Sequence, residues 1–368
     1  MRVLMISKAC LVGIYQRKLE AIARHGVTLL TLVPPAWRDE RGVMPLERAY
    51  TDGYQLETLP IVRNGDYHLH AYRGLGARMR RFQPDIVHID EEPYNLATWQ
   101  ALWHARRLRA RTLFFTWQNL DRRYPPPFRW GERWTLRAVD HAIAGTASAA
   151  QVWRAKGFAG PLTVIPQFGT DPDLFHPLGE RPSARPFTVG YVGRPGEENG
   201  IHLLLDAVAR LDGAGRLSIL GGGPLRAELE ARAARLGIAA HVTFSDQIPS
   251  TQMPAHYQRL DALALPSLTR PNWQEQFGRV LVEAMASGVA VVGSSSGAIP
   301  DVIGDAGLVV PEGQVDTLAA ALRRLQTDTD LRARLAAAGR ERALTHFTHE
   351  QVAAATVRVY ESLLAVSR

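Results

Sequence analysis

Apolar residues in this chain fall into short unbroken runs, separated by longer stretches where they recur every three or four positions. In the first half the runs at 3–6, 27–33, 85–89, 112–116 and 141–144 predict strands buried on both faces. The periodic stretches at 15–25, 96–109 and 130–139 predict amphipathic helices, the first of them ended by Gly26. Around residues 166–186 the pattern breaks: Pro166, Pro172, Pro177, Pro182 and Pro186 fall in a span with little periodic signal, so a linker is placed there. A second series follows, with strands at 188–192, 217–220 and 242–244 and helices at 202–211 and 225–236. Strands alternating with helices predict an α/β protein, with parallel sheets covered by helices on both faces. The tail, 350–366, carries Val352, Ala355, Val359 and Leu363 at helical spacing and predicts an amphipathic helix that packs on another element.

The second series ends in the most informative stretch. An apolar run at 262–267 and another at 289–293 flank a polar loop and a short helix stopped by Gly288, which makes a βαβ unit. Ligands bind such units at the carboxyl ends of their strands. Glu275 lies in the loop at such an end, and the first amides of the following helix lack intrahelical partners and favour an anion. Glu283 comes eight residues later, about 80° further round, on or near the same face. Two carboxylates with free amides between them suit a ligand with hydroxyls at both ends and phosphates in the middle.

Composition narrows the class. With 368 residues the chain suits two domains, and 46% hydrophobic with 21% charged residues is the profile of an ordinary globular protein. No window is apolar enough for a transmembrane helix, and the N-terminus reads as a strand start, not a signal peptide. Cys10 is the single cysteine, so no intrachain disulfide is possible and a reducing cytoplasm is expected. The formal net charge of +7 owes much to arginines of the first half: Arg73, Arg78, Arg80 and Arg81; Arg106, Arg107, Arg109 and Arg111; Arg122, Arg123 and Arg129. They suit peripheral attraction to an anionic membrane surface, or are a solvated helix face. No nucleic-acid module accompanies them, so nucleic acid is not an expected partner.

Other residues carry candidate chemistry. Gly190-Tyr191-Val192-Gly193-Arg194 leaves Arg194 free after a turn, where a guanidinium can grip a diphosphate or simply meet solvent. Gly221-Gly222-Gly223 fails the dinucleotide fingerprint and reads as a tight turn rather than a phosphate cradle. Gly13, after the first strand, allows close backbone approach to a ligand. Cys10 lacks the partners of a nucleophile. Asp90, Glu91 and Glu92 follow a strand and suit sugar hydroxyls, an acceptor or a structural loop; His88 before them reads as a packing residue, and no metal site is expected. Trp117 and Asn119 suit a sugar or lipid-like acceptor, or loop packing.

The second half closely resembles the nucleotide-binding domain of the retaining glycosyltransferases of family 4. The likeness rests on Tyr191-Val192-Gly193-Arg194, Ile219-Leu220-Gly221-Gly222-Gly223-Pro224, Pro266-Ser267, the block from Glu275 to Gly288, and Gly297-Ala298-Ile299-Pro300-Asp301-Val302-Ile303. It is strong over 188–312. The segment from Ile165 to Phe175 looks like the family's hinge, and the first half matches by layout.

The resemblance implies the GT-B fold: two Rossmann-like, doubly wound domains facing a central cleft, with a C-terminal helix crossing back to the first. It places an acceptor domain at 1–170, a nucleotide-sugar domain at 171–346 and the returning helix at 347–368. It implies a metal-independent retaining transfer of a sugar from a nucleoside-diphosphate sugar to an acceptor hydroxyl, with no cofactor. Arg194 and Glu275 would act at the reacting centre, with Asp90 or Glu91 standing where the family often has a histidine. Gly13, Asn199, Gln276, Phe277, Gly278, Arg279, Val280 and Glu283 would line the donor, Glu283 on the ribose. Glu92, Trp117 and Asn119 would meet the acceptor. Asn199 stands where the family has a lysine, and Lys8 or Arg279 would have to replace its charge. That departure favours a catalytically weakened, nucleotide-sugar-binding partner subunit, while the Asp90-Glu91-Glu92 cluster keeps a GT-B sugar epimerase or hydrolase in view.

Overall fold

The computed structural model describes residues 1–39, 42–179, 185–211, 215–249 and 252–365. It divides into two compact units, Met1–Gly169 with the chain from His349 onward, and Thr170–Thr348.

The first unit runs β1 (Arg2–Ile6), α1 (Arg17–Arg24), β2 (Thr28–Val33), β3 (Ala36–Asp39), β4 (Gly42–Pro45), β5 (Gln55–Thr58), β6 (Ile61–Val62), β7 (Ala71–Tyr72), α2 (Leu75–Phe82), β8 (Ile86–Ile89), α3 (Leu96–Arg107), β9 (Arg111–Thr116), α4 (Phe128–Ala138), β10 (His141–Ala144), α5 (Ala147–Ala155) and β11 (Leu162–Val164). Seven strands form one parallel sheet in the order β11-β10-β9-β8-β1-β2-β5, while β3–β4 and β6–β7 are small antiparallel pairs. Side chains of β1 alternate between its faces. Val3 and Met5 join one core with α1, and Leu4 and Ile6 join another with α2 and α3. The order reverses between β1 and β8, which makes the loops after these two strands the ligand position of this sheet.

The second unit runs β12 (Thr188–Val192), α6 (Ile201–Val208), β13 (Arg216–Leu220), α7 (Arg226–Arg235), β14 (Val242–Ser245), α8 (Met253–Tyr257), β15 (Ala262–Leu265), α9 (Arg279–Ala286), β16 (Ala290–Ser294), α10 (Ile299–Ile303), β17 (Leu308–Val310), α11 (Val315–Thr327) and α12 (Thr329–His346). Its six parallel strands lie in the order β14-β13-β12-β15-β16-β17, and the reversal falls between β12 and β15. The last helix, α13 (His349–Ala365), packs on the first unit: Val352, Val357, Val359 and Leu363 share a core with Val3 and Leu19. Tyr360 sets its hydroxyl 2.6 Å from His88 Nδ1, so His88 is a buried packing residue.

Three expectations change in detail. The helix predicted over 15–25 opens as a 3-10 turn at Gly13–Gln16 before α1. The helix predicted to 109 stops at Arg107, and Arg109 takes a left-handed φ of 58°. The segment expected as a linker is packed in its first part: Gln167, Thr170, Asp171 and Phe175 are buried, and Phe168 stacks on Tyr15 at 3.9 Å, while residues 176–179 are exposed. Residues 180–184, Pro182 among them, lie outside the described residues, as does Val366 of the predicted tail helix.

Candidate functional site

In the second unit the two strands at the reversal each deliver one wall of a site. After β15, Ser267 is buried and its hydroxyl donates to Glu275 Oε2 at 3.3 Å, while the amide of Gly278 donates to Oε1 at 3.1 Å. The amide of Phe277 reaches the same oxygen at 3.5 Å. Burial raises the Glu275 carboxyl above its ordinary value, and the bonds from Phe277, Ser267 and Gly278 oppose that rise. The backbone of Glu275 is clamped as well. Its carbonyl accepts from Ala298 at 3.1 Å and lies so close to Gly297, φ 53°, that a Cβ there would strike it. The Gly-Ala-Ile-Pro segment therefore holds the loop that carries the carboxylate.

The angular argument placing Glu275 and Glu283 on one helical face does not apply. Gly278 takes φ 78° and α9 begins only at Arg279, so Glu275 belongs to the loop. Nor are the amides of Phe277 and Gly278 free, because Glu275 occupies them itself. On α9, Glu283 is buried. Tyr257 donates its phenol to Oε2 at 2.7 Å, and Arg279 Nε lies 3.1 Å from Oε1 across one helical turn. Val280 is half-buried against the core, Gln276 is exposed, and Phe277 packs edge-on to Phe347 at 5.8 Å.

After β12 the chain turns at Gly193, φ 149°, and leaves Arg194 exposed. A Cβ on Gly221 would strike the Gly193 carbonyl, and one on Gly223 would sit 2.8 Å from Pro195 Cδ. These glycines thus serve the close packing of two loops. Asn199 ends the 3-10 turn Glu197–Asn199. The turn is held against the end of β15: the Leu268 amide donates to the Glu198 carbonyl at 2.7 Å, and Gly200 sits where a Cβ would strike the Pro266 carbonyl. Tyr191 links the two walls. Its buried phenol donates to the Arg194 carbonyl at 3.3 Å, and its pKa is raised by burial first and then by the charges of Glu275 and Glu198. Tyr257 is the site residue that sequence patterns did not single out, and Tyr191 and Ser267 stood in the quoted segments with no role assigned. Their signal was only a hydroxyl within or beside an otherwise apolar run.

In the first unit the loops after β1 and β8, with residues from β9 and the β3–β4 pair, enclose a cavity of about 390 Å³ lined by Lys8, Trp37, Tyr67, Glu92, Trp117 and others. Asp90 accepts from Ser7 and from Gln167 Nε2 at 3.0 Å, and burial raises its pKa. Burial pushes Glu91 the same way, but the Lys8 ammonium, which ion-pairs with it, and His70 outweigh burial and hold the carboxyl down at about 2. Glu92 accepts from the Thr116 hydroxyl at 2.6 Å and the Trp117 amide at 2.8 Å, yet burial lifts it to about 7. At neutral pH Glu91 is ionised, because Lys8 pairs with it directly, whereas Glu92 feels Lys8 more weakly and holds its proton more readily. Trp117 Nε1 donates to Gln167 at 2.7 Å, and Asn119 is buried outside this lining.

Gly13 is held within its own unit. Its amide donates to Glu47 Oε2 at 2.7 Å, so the close approach its missing side chain permits is to Glu47 and Ala49. Burial pushes the Cys10 thiol up to about 12, consistent with an inert cysteine. Among the described residues no group of three or more His, Cys, Asp or Glu is arranged to hold a metal, and no helix is long and apolar enough to cross a membrane.

Comparison with known proteins matches residues 180–342 to the glycosyl transferases group 1 and residues 17–173 to glycosyltransferase family 4. The chain is similar to a GDP-mannose-dependent alpha-(1-6)-phosphatidylinositol monomannoside mannosyltransferase of Mycobacterium tuberculosis, 36% identical over 51% of this chain and 52% of that protein. It is also similar to the 2-deoxystreptamine glucosyltransferase of Streptomyces kanamyceticus, 30% identical over 68% of this chain and 67% of that one. The chain thus spans about half the length of the mycobacterial relative. Its fold superposes on a sucrose-phosphate synthase from Thermosynechococcus elongatus over 100% of both chains, with a TM-score of 0.74 at 23% identity. Two doubly wound sheets, a last helix returned to the first unit and matches to both family models lead to one conclusion: this chain belongs to the group 1, family 4 glycosyltransferases and has their GT-B fold.

Proposed function

We propose that the protein is a retaining glycosyltransferase that carries a sugar from a nucleoside-diphosphate sugar on the second unit to a hydroxyl acceptor on the first. The observation that carries this reading is the carboxylate of Glu275, seated at the sheet reversal by Ser267 and Gly278, with Arg194 exposed on the loop after the adjacent strand. As the donor bond breaks, positive character grows at the anomeric carbon and negative charge on the diphosphate. The exposed guanidinium of Arg194 is placed to meet that negative charge, in the way electrostatic catalysis requires. Glu275, with its raised pKa, would hold sugar hydroxyls. Glu283, oriented by Tyr257, would hold the ribose. Gln276, Phe277, Gly278, Arg279 and Val280 would line the donor, and Asn199 would face the diphosphate. The first-unit cavity, with Asp90, Glu91, Glu92 and Trp117, would receive the acceptor, Asn119 supporting its wall.

Asn199 supports a second reading, a nucleotide-sugar-binding subunit with little turnover of its own, because it supplies no cation where the family's pattern has lysine. A thermal-shift panel of UDP, GDP and ADP with their sugars tests the shared core of both readings, since a ligand that binds only the folded state raises its melting point. The name of the mycobacterial relative makes GDP-mannose the first donor to try. We expect one nucleotide family to stabilise the protein and Glu275→Ala to keep the fold while abolishing transfer. No stabilisation by any nucleotide, or full transfer by that variant, overturns the assignment.

A further inference from the structure

One surface of the first unit is left unexplained by sugar transfer. Helices α2, α3 and α4 cover the same face of the sheet, and α2 and α3 contain no acidic residue. The one acid of α4, Glu132, is buried and ion-paired with Lys156 at 2.8 Å. Arg129, Arg133 and Arg137 are all exposed and recur every four residues, so they share one stripe of α4. Like charges at that spacing repel, and nothing on the helix relieves them. The stripe continues onto its neighbours. Arg106 reaches the Ala138 carbonyl at 3.4 Å, which brings the ends of α3 and α4 together. The pKa of His104 is lowered by burial and then by Arg80 and Arg107, which marks one positive field joining α2 to α3.

Two indoles stand on this face. Trp103 is 50% exposed and Trp130 is 64% exposed. Arg107 lies over the Trp103 ring at 4.6 Å, and Gly131, next to Trp130, packs flush on the Trp99 ring. Exposed tryptophan framed by arginine, with acid excluded, is the chemistry of a surface with an apolar interior and anionic headgroups. A nucleic acid would also satisfy the arginines, but two exposed indoles beside the stripe favour a headgroup region with an apolar interior.

We propose that the α2–α3–α4 face docks on an anionic lipid bilayer, with Trp103 and Trp130 entering the headgroup region and the arginine stripe meeting lipid phosphates. The full chain is sedimented with vesicles of phosphatidylcholine alone and of phosphatidylcholine with ~30% phosphatidylglycerol. We expect it to partition onto the anionic vesicles only, with a blue shift of tryptophan emission and weakening by salt. The triple variant Arg129→Glu, Arg133→Glu, Arg137→Glu and the double variant Trp103→Ser, Trp130→Ser should each lose about tenfold or more of that binding. All five positions are exposed, and unchanged melting temperatures verify that the variants are folded. Equal binding by the variants, no binding to anionic vesicles, or binding of an RNA or DNA duplex in place of vesicles overturns the proposal.

Discussion

Glu47 places its carboxylate on the amide of Gly13, Oε2 to N at 2.7 Å, and the neighbouring Ala49 fills the space that a side chain at position 13 would need. Gln16 completes the clasp by bonding the Glu47 carbonyl and the Ala49 amide. A Cβ on Gly13 would stand 2.8 Å from the Ala49 Cβ. We therefore expect Gly13→Ala to cost about 1–3 kcal/mol, the usual penalty of overpacking, read as a lower denaturant midpoint at unchanged slope. Adding Ala49→Gly should restore most of the loss. A Gly13→Ala protein that unfolds like the parent would show that packing does not demand this glycine.

That clasp also marks the limit of what the residue pattern could reveal. Gly13 was legible as a point of close approach, but the partner lies 34 positions away in a segment without periodicity. Most of the parallel strands and several helices were legible because burial on both faces, or on one stripe, writes a period into the sequence, but α11 and α12 were not predicted although they are long. The β3–β4 pair, β5 and the two-residue strands β6 and β7 were not, because so few residues carry no period and their pairing is set by distant neighbours. The Glu275–Glu283 spacing identified the right loop and helix, but the shared-face geometry failed at Gly278, whose left-handed backbone delays the helix. Asp90, Glu91 and Glu92 looked alike as a run. Only their partners, Ser7 and Gln167, Lys8 and His70, Thr116 and Trp117, give three adjacent acids three different states.

Asn199 offers a test of catalytic power that can be separated from stability. It ends the turn held beside Tyr191, so a lysine there adds a cation at the end of the candidate site. We expect Asn199→Lys to raise kcat about tenfold or more by adding charge against the leaving diphosphate. Asn199→Met serves as the control: it replaces the amide with no charge gained, so it should show no gain in rate. Equal rates for all three proteins would mean that Arg194 already suffices or that position 199 faces no charge.

The acid side of the stability profile should carry the signature of His349, at the start of α13. The ring is buried, its Nδ1 has no hydrogen-bond partner among the described residues, and burial, with Arg17 and Lys18 adding to it, pushes its pKa down to about 3. The unfolded chain, with an ordinary value of 6.5, therefore binds a proton before the folded chain does. Stability from this group is complete above pH 6.5 and is lost as the pH falls towards 3, at about 1.4 kcal/mol per pH unit once the unfolded state is protonated. Glu92 acts in the opposite sense. Its carboxyl is raised from 4.5 to about 7, so the folded state takes its proton first and is favoured as the pH falls between those values. The raw profile mixes the two, and the difference between the parent and His349→Gln isolates the histidine. We expect the parent's advantage over the variant, measured by denaturant unfolding at a series of pH values, to shrink steadily from about pH 6 downward. A difference that stays flat would mean that the histidine takes up its proton in the folded state as readily as in the unfolded chain.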